Sequence, residues 1–290
     1  MTQGLRTLLD EATARLASAG VTSPEADSWF LASAVLGRGR GELQAALVMG
    51  DVELTEGESA LFAQMLRRRV EREPLWHITG TAPFLDCELS VSKGVFVPRP
   101  ETELVALTAI SEAQLMHPSS GELKVVDLCS GSGALAIALS RALPHAQVIA
   151  VELSPDAVGF LENNVSKWSP DRVEIIRGDV SVMQDHPWAG VVDVIVSNPP
   201  YLVPGEELDQ ETRDYDPHQA LFGGEDGLDV IRRVIEVSAV VLRPGGSMVL
   251  EHGIKQGDAI SGLLSEAGFA GVSTEKDLVG RDRFTRATKR

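Results

Sequence analysis

The feature that most constrains this chain is an alternation of apolar strand patterns and helix patterns, which begins near residue 100 and continues to the end. Segments that alternate in this way form β-α-β units, in which neighbouring strands run parallel and helices cover both faces of the sheet. We therefore expect an α/β fold with a mostly parallel sheet. The expected strands are 124–129, 147–153, 173–178, 191–197, 247–251, 272–278 and 283–288, and the expected helices are 134–143, 155–168, 228–242 and 258–267.

The first 73 residues carry a different pattern, with apolar residues at helical spacing and no convincing strand. Ser23-Pro24-Glu25 and Thr55-Glu56-Gly57-Glu58 have the residue types that begin helices. We interpret 1–73 as a small helical domain. In 74–97, turn residues interrupt short β-prone runs, which predicts a β-hairpin connector.

The chain is acidic, because 42 Asp and Glu residues outnumber 26 Lys and Arg residues and give a formal net charge of −16. Affinity for nucleic acids comes mainly from basic residues that neutralise phosphates, so general nucleic-acid binding is disfavoured. A basic run, Arg67-Arg68-Arg69, is followed by Glu71 and Glu73. We expect a solvated helix end there rather than a nucleic-acid contact.

Other features favour a reduced, cytoplasmic protein. Cys87 and Cys129 are far apart and no metal-ligand spacing of Cys and His is present, so we expect neither a disulfide nor a metal site. Asp10 and Glu11 interrupt any signal-peptide core. No apolar run approaches the ~20 residues that cross a bilayer. We expect a cytoplasmic monomer that does not associate with membranes.

The first candidate site is Val125-Val126-Asp127-Leu128-Cys129-Ser130-Gly131-Ser132-Gly133, where a predicted strand enters a glycine-rich turn before a helix. Glycines let a backbone approach a ligand closely, and a helix N-terminus offers free N–H groups. The spacing is Asp-x-x-x-Gly-x-Gly, which differs from the G-x-G-x-x-G of dinucleotide sites. By itself, the pattern also fits an ordinary tight turn.

Acidic residues follow the next two predicted strands. Glu152 ends the second strand, 19 residues after Gly133, and a carboxylate there can accept hydrogen bonds from both hydroxyls of a ribose. Asp179, in Arg177-Gly178-Asp179-Val180, ends the third strand and is a candidate for binding an adenine amino group. Glu152 alone would be an ordinary surface acid. Together, the three strand ends indicate an adenosine ligand, which we expect to be S-adenosylmethionine rather than a dinucleotide.

The most specific signal is Asn198-Pro199-Pro200-Tyr201, which directly follows the apolar run 194–197. Two prolines cannot continue a central strand, so the chain must leave the sheet there. The Asn198 side chain and the Pro199 carbonyl can accept hydrogen bonds from a planar –NH₂ group, and Tyr201 can lie against the flat face of the group that carries it. A chance strand exit with a buried asparagine is the alternative.

These motifs resemble those of class I S-adenosylmethionine-dependent methyltransferases that modify planar nitrogens. Within that class, the chain is similar over nearly its whole length to the release factor glutamine methyltransferases of the HemK/PrmC type. The other segments that carry the resemblance are Arg72-Glu73-Pro74-Leu75-Trp76-His77-Ile78-Thr79-Gly80, Phe96-Val97-Pro98-Arg99-Pro100-Glu101-Thr102-Glu103, Leu250-Glu251-His252-Gly253 and Gly280-Arg281-Asp282-Arg283. The Pro-Arg-Pro-Glu-Thr-Glu stretch is the most specific, because a sister family that acts on a ribosomal protein usually departs there.

The resemblance implies a Rossmann-like, seven-stranded methyltransferase domain at 98–290, with the helical domain recognising substrate. It also implies methylation of the glutamine side-chain amide in the Gly-Gly-Gln motif of peptide chain release factors. Asn198, Pro199 and Tyr201 would be the catalytic residues. The implied cofactor-binding residues are Asp127, Cys129, Ser130, Gly131, Ser132, Gly133, Glu152, Asp179, Val180 and Asn198. The implied substrate-binding residues are Phe96, Arg99, Asn198, Pro199, Pro200 and Tyr201, with a structural role as the alternative for Arg99.

The chain departs from the family pattern at three of these positions. Relatives usually have Gly where this chain has Cys129, often Asp where it has Glu152, and often an aromatic residue where it has Val180. A cysteine disfavours a positive φ. Glu152 keeps the carboxylate with a longer reach, and Val180 cannot stack on adenine as a ring does.

Other functions share parts of this pattern. Ribosomal-protein glutamine methylation and DNA adenine methylation both use Asn-Pro-Pro-Tyr, but a DNA enzyme needs a basic DNA-binding face. Residues 201–230 instead contain nine acidic residues and one basic residue. A cofactor-binding scaffold without catalysis is disfavoured by the intact Asn198 and Tyr201. We hypothesise that the acidic segment 201–230 steers a basic protein surface toward Asn198.

Overall fold

The computed structural model describes residues 4–50, 52–116 and 121–290, and the chain divides into two compact units. The first unit contains Met1–Thr81 and Leu208–Tyr215, and the second contains Ala82–Glu207 and Asp216–Arg290. The domain boundaries expected at residues 73 and 97 stay predictions. No feature of the sequence had indicated that Leu208–Tyr215 groups with the first 81 residues.

The described residues form helices, strands and one short 3₁₀ helix, Val180–Gln184. The helices are α1 (Leu5–Ser18), α2 (Pro24–Leu36), α3 (Arg40–Met49), α4 (Glu56–Val70), α5 (Leu75–Thr79), α6 (Pro100–Leu115), α7 (Ala134–Ala142), α8 (Pro155–Trp168), α9 (Gln210–Tyr215), α10 (His218–Leu221), α11 (Asp229–Val241) and α12 (Gly257–Glu266). The strands are β1 (Thr81–Phe84), β2 (Cys87–Ser90), β3 (Lys124–Leu128), β4 (Gln147–Glu152), β5 (Val173–Arg177), β6 (Val192–Ser197), β7 (Leu242–Glu251), β8 (Phe269–Lys276) and β9 (Asp282–Lys289).

The first unit is helical, with α1, α2, α4 and α5 around a core of buried leucines and Phe62. The predicted start of α4 is confirmed. Thr55 Oγ1 accepts a hydrogen bond from the Glu58 N–H at 3.2 Å, and the Glu58 carboxylate accepts one from the Thr55 N–H at 2.8 Å. This reciprocal pair satisfies two N–H groups that the first helical turn leaves unpaired.

The basic run at the end of α4 differs from its prediction as a solvated helix end. Arg69 is only 4% exposed, and its guanidinium donates to Asp27 at 2.7 Å and to Glu211 at 2.8 Å. Arg68 pairs with Glu73, which leaves only Arg67 exposed. The prediction was wrong for Arg69 because its carboxylate partners lie far away in the sequence, where a local charge pattern cannot show them.

The second unit contains the predicted seven-stranded sheet, with the strand order β5-β4-β3-β6-β7-β9-β8. The strands from β5 to β7 pair in parallel, and β9 pairs antiparallel with both β7 and β8. Val125 and Val126, successive residues of β3, belong to two different apolar clusters. Because successive strand residues face opposite sides, the sheet is covered on both faces, which confirms the α/β prediction. Strands β1 and β2 form a separate two-stranded sheet.

Strand β7 is longer than predicted, because it begins at Leu242 and includes Pro244-Gly245-Gly246. Leu242 pairs with Val192 of β6, whereas Ser247 pairs with Val194, so the register shifts between these pairs. A bulge of this kind absorbs residues that cannot continue a regular ladder. The sequence pattern detected only the regular part of the strand.

The parallel strands place the candidate residues at one edge of the sheet. Leu128 at the end of β3 is in register with Val151 of β4 and with Ser197 of β6, and Glu152 is in register with Arg177 of β5. The segments that follow these four strands therefore begin side by side. Among the described helices, none combines the length and the apolar character required to cross a bilayer.

We predict that Arg69→Ala destabilises the first unit by about 3 kcal/mol or more, because it leaves the Asp27 carboxylate buried without its partner. Hydrogen exchange of peptides from α2 and α4 should become faster. Arg67→Ala removes an exposed guanidinium from the same helix end and should change stability by no more than about 0.5 kcal/mol. Equal exchange in the two variants would contradict the structural role of Arg69.

Candidate active site

The glycine-rich loop connects β3 to α7 through a turn with three left-handed residues. Cys129, Gly131 and Gly133 have φ values of 63°, 55° and 86°. Ser130 anchors the turn, because its N–H donates to the Val151 carbonyl at 3.0 Å and its hydroxyl donates to the Asp127 carbonyl at 2.9 Å. Cys129 therefore adopts the backbone conformation that a cysteine disfavours.

Two carboxyl groups accept hydrogen bonds from N–H groups of the glycine-rich loop and of the first turn of α7. Asp127 Oδ2 accepts one from the Ala136 N–H at 3.0 Å, and Glu152 Oε2 accepts one from the Gly131 N–H at 2.7 Å. Glu152 Oε1 accepts another from the Ser154 N–H at 2.7 Å. A pyrophosphate binds to such N–H groups at the start of a helix, and here carboxyl oxygens already accept the hydrogen bonds of the Gly131 and Ala136 N–H groups. The geometry thus supports the interpretation that this loop binds S-adenosylmethionine rather than a dinucleotide.

Buried acidic groups lie beside this loop. Burial raises the pKa of Asp127 to about 8, and hydrogen bonds from Ser130 and from the Ala136 N–H oppose that rise. Asp127 Oδ1 is a buried oxygen with no hydrogen-bond partner among the described residues. Burial, with the nearby charges of Glu152 and Asp127, also raises the pKa of the Cys129 thiol, which therefore stays protonated. A cation near Asp127 would stabilise its ionised form.

Asp179 and Val180 lie at the same edge of the sheet, just after β5. Burial acts to raise the pKa of Asp179, but a hydrogen bond from the Ser181 N–H at 3.0 Å and the ion pair with Arg233 at 3.3 Å lower it overall. Val180 is buried and packs in an apolar core cluster. The proposed contacts of these two residues with adenine stay predictions.

Asn198-Pro199-Pro200-Tyr201 leaves the sheet at the end of β6, as predicted. Ser197, the last residue of β6, donates a hydrogen bond from its hydroxyl to the Leu128 carbonyl at 2.6 Å, which ties this exit to the end of β3. A later segment packs closely on the motif, because a Cβ atom on Gly223 would lie 2.6 Å from the Pro200 carbonyl oxygen. Glycine at 223 thus permits a backbone approach that no other residue allows.

Behind Asn198 lies a buried hydrogen-bond chain that sequence reasoning did not assign. Asn198 Nδ2 donates to Thr102 Oγ1 at 3.2 Å, and Thr102 Oγ1 donates to Glu251 Oε2 at 2.7 Å. Thr102 is 3% exposed and Glu251 is 2% exposed. Burial raises the pKa of Glu251 to about 7, although the Thr102 hydrogen bond and the charge of Arg283 oppose the rise. Both residues belong to segments that carried the family resemblance, which was the only available signal.

Tyr201 is held at both its side chain and its backbone. Its hydroxyl interacts with Glu251 and Arg283, and burial raises the pKa of the phenol, so Tyr201 stays neutral. Its carbonyl accepts a hydrogen bond from Gln256 Nε2 at 3.0 Å. The same amide of Gln256 contacts the Gly227 carbonyl at 3.2 Å and the Gly253 N–H at 2.9 Å. Gln256 therefore joins three loops, a role that no sequence motif indicated.

Phe96 and Arg99, the predicted substrate contacts before α6, lie against each other. The Arg99 guanidinium carbon is 5.0 Å from the centroid of the Phe96 ring, and Arg99 Nη2 is 2.6 Å from the buried Asp216 carboxylate. These contacts support the structural alternative for Arg99. Its role in substrate binding stays a prediction. In the described ranges, no cluster of three His, Cys, Asp or Glu side chains is arranged to hold a metal ion.

Comparison with known proteins identifies the class first. The family model described as "Methyltransferase small domain" matches residues 110–213, and the one described as "PrmC N-terminal domain" matches residues 7–80. Among solved structures, the chain is similar to the Thermus thermophilus 16S rRNA N2 G1207 methyltransferase, which was solved with AdoMet and guanosine. The TM-score is 0.50 and the identity 27%, and the match covers 72% of this chain and 50% of that one. The second unit thus has a methyltransferase fold.

Full-length relatives then define the family. The chain is 43% identical to the release factor glutamine methyltransferase of Streptomyces coelicolor, with 96% of each chain covered. It is 39% identical to the protein of the same name from Bifidobacterium longum, with 96% of this chain and 97% of that chain covered. The chain belongs to the release factor glutamine methyltransferase family, as the sequence motifs indicated.

We predict that the cost of the left-handed backbone at Cys129 can be measured with two small residues. Cys129→Ala should be less stable than Cys129→Gly by about 0.5–1 kcal/mol, because alanine keeps the Cβ penalty and glycine loses only extra chain entropy. Urea-dependent hydrogen exchange of peptides from 124–142 measures the difference. At Cys87, in strand β2 with ordinary backbone geometry, the order should reverse. The same order at both cysteines would refute this interpretation.

Proposed function

We propose that this protein transfers the methyl group of S-adenosylmethionine to the side-chain amide nitrogen of the glutamine in the Gly-Gly-Gln motif of peptide chain release factors. The observation that carries the proposal is the position of Asn198–Tyr201 at the end of β6, directly beside the glycine-rich loop that follows β3. A planar amide and an adenosyl ligand could therefore meet there. The names of the full-length relatives support the choice of substrate.

The residues around the glycine-rich loop fit S-adenosylmethionine. Glu152 is nearly buried at the end of β4 and has lone pairs left for ribose hydroxyls. Asp127 Oδ1 is a buried acceptor without a partner among the described residues, and a nearby cation would stabilise the ionised form of this carboxyl group. A Cβ atom added to Gly131 would have no atom beyond its chain neighbours within 4 Å, so a ligand has space to approach the backbone there. These features suit a positively charged adenosyl group.

The protein's task in this reaction is to orient a weak nucleophile, because the lone pair of an amide nitrogen is delocalised. Asn198 Oδ1 and the Pro199 carbonyl would accept hydrogen bonds from the two N–H groups of the glutamine and hold its nitrogen in place. When bound, S-adenosylmethionine supplies a sulfonium-bound methyl group, whose bond to nitrogen forms as its bond to sulfur breaks, after which the nitrogen loses one proton. Orientation of this kind supplies up to roughly 7–11 kcal/mol in the best cases.

Further parts of the proposal concern where and with what the protein acts. We propose action in the cytoplasm, as a monomer, on a protein substrate rather than on DNA. The acidic composition of residues 201–230 supports the choice of protein over DNA, since those residues follow the Asn-Pro-Pro-Tyr motif directly. Size-exclusion chromatography with light scattering tests the monomer.

We predict that Asn198→Ala lowers methyl transfer to a purified release factor by roughly 100-fold or more, because the amide nitrogen loses its orienting acceptor. The measurement is incorporation of radiolabelled methyl from S-adenosylmethionine. Binding of S-adenosylmethionine, measured by calorimetry, should change far less. Retained turnover in this variant would refute the assignment of Asn198.

The substrate is tested with the wild-type protein in parallel reactions. The methyl acceptors are a release factor, the same factor with its Gly-Gly-Gln glutamine replaced by alanine, ribosomal proteins, and adenine-containing DNA. We expect label only in the unaltered release factor. Label in ribosomal protein or in DNA instead would establish one of the two alternatives.

The structure refines the hypothesis that the acidic segment 201–230 steers the substrate. Ion pairs engage five of its nine acidic residues with arginines, so much of its charge is neutralised locally. These paired residues are Glu211, Asp214, Asp216, Asp226 and Asp229. Asp209 accepts hydrogen bonds from the N–H groups of Glu211 and Thr212 at the start of α9. Glu206 and Glu207 are exposed and are therefore the better candidates for steering.

We predict that kcat/KM for the release factor falls with salt, on the order of tenfold between about 50 and 500 mM NaCl, since salt screens attraction between exposed charges. The double variant Glu206→Gln and Glu207→Gln should show a shallower slope. The matched control neutralises Glu236 and Glu266, which are exposed on α11 and α12. An identical salt slope in all three proteins would leave the acidic segment without a steering role.

A further inference from the structure

We propose that Thr102 and Glu251 are positioning residues that fix which end of the Asn198 amide faces the substrate, and thereby make the site selective for a glutamine amide over a carboxylate. The proposal rests on the proposed function and deepens it. The observation that carries it is the buried chain from Asn198 Nδ2 through Thr102 Oγ1 to Glu251 Oε2, with distances of 3.2 Å and 2.7 Å.

The order of donors and acceptors in this chain follows from the chemistry of its end. An ionised carboxylate can only accept hydrogen bonds, so the single hydroxyl proton of Thr102 must point to Glu251. Thr102 Oγ1 can then only accept from the other side. Asn198 must therefore present its –NH₂ group to Thr102, which leaves its oxygen Oδ1 for the substrate.

The fold fixes the positions of the three side chains in this hydrogen-bond chain. Ser197 and Leu250 are in register in the parallel pair β6–β7, so Asn198 and Glu251 follow at the same level. Thr102 lies in the first turn of α6, and its N–H is bound to the Arg99 carbonyl at 3.0 Å. Because Thr102 and Glu251 are both almost fully buried, water cannot replace either partner at low cost.

An outward Asn198 oxygen suits the reaction in two ways. Together with the Pro199 carbonyl, it offers only acceptors to the substrate, which match the two N–H groups of an amide and repel a carboxylate. As the nitrogen forms its new bond, its N–H groups become more acidic and these hydrogen bonds strengthen. The orientation of Asn198 should therefore affect kcat more than KM.

The decisive experiment is a double-mutant cycle between Glu251→Gln and Asn198→Asp, measured as methyl transfer to a release factor. A glutamine at 251 can donate to Thr102, which can then donate to Asn198 and turn the –NH₂ group outward. We expect Glu251→Gln alone to lower kcat by roughly 10- to 100-fold, the effect of losing a hydrogen bond to a charged group. KM for the release factor should change little.

The same substitution should have the opposite effect when residue 198 is aspartate. In Asn198→Asp alone, the Thr102 hydroxyl can donate its single proton to only one of the two carboxylates at 198 and 251. Its contact with the other carboxylate is then repulsive. In the double variant, the amide at 251 donates to Thr102 and Thr102 donates to the carboxylate at 198, which leaves an outward acceptor oxygen. The double variant should therefore be more active than Asn198→Asp, and a residue needed only for folding would not show such rescue.

The pH profile gives a second readout. The groups that face Glu251 are Glu101 on α6, Tyr201 after β6 and Arg283 on β9. With a pKa of about 7, Glu251 is ionised above that pH and protonated below it, so wild-type kcat should rise through about pH 7. Glu251→Gln should lack this step but keep any step caused by Asp127, whose pKa is about 8.

The outcomes are separable. A wild-type protein that methylates no release factor refutes the proposed function, whereas an active wild type with unchanged kcat in Glu251→Gln refutes the positioning role alone. A loss of equal size with Asn198 intact and in the Asn198→Asp background also refutes it. If Glu251→Gln fails to bind S-adenosylmethionine, the variants Thr102→Ser and Thr102→Val test the proposal instead. Thr102→Ser keeps the hydroxyl and should retain activity, whereas Thr102→Val lacks it and should lose activity. Equal activity of these two variants would overturn the proposal.

Discussion

The parallel pairing of β3 with β6 is the constraint on which the site depends. The chain builds the sheet outward from β3 through β4 to β5, then returns to place β6 on the other side of β3. The segments that follow β3 and β6 therefore leave the sheet from adjacent strands, at the kind of reversal in strand order where open α/β sheets bind ligands. The glycine-rich loop follows one of these strands and Asn198–Tyr201 follows the other. Ser197, hydrogen bonded to the Leu128 carbonyl at 2.6 Å, fixes their separation.

At this edge of the sheet, buried carboxyl groups organise the backbone and side chains. Glu152 and Asp127 accept hydrogen bonds from N–H groups of the glycine-rich loop and of α7. Glu251 accepts a hydrogen bond from the Thr102 hydroxyl behind Asn198. Burial raises the pKa of Asp127 and Glu251 into the neutral range. A buried carboxyl group needs hydrogen-bond donors as partners, and these hydrogen bonds fix the geometry of the loops. Acidic residues of this chain thus hold backbone and side-chain groups in place inside the site and form ion pairs with arginines on the surface.

The local motifs were predictable because each depends on neighbouring residues. The glycine-rich loop, the exit at Pro199-Pro200 and the helix start at Thr55 could be read from spacing and residue type. Arg69 could not, since Asp27 and Glu211 approach it from distant parts of the chain. Thr102, Glu251 and Gln256 escaped assignment for the same reason, because each acts through contacts between segments that are far apart in sequence.

The sequence by itself determined the α/β class, the family and the exit of the chain from the sheet at Pro199-Pro200, since alternation, proline and glycine act locally. Only the tertiary structure decided which of the nine acidic residues in 201–230 are paired and which side of the Asn198 amide is turned inward. It also showed that Leu208–Tyr215 groups with the first unit. Such features depend on hydrogen-bond donors, acceptors and charges that folding brings together, and a one-dimensional pattern contains no distances between them.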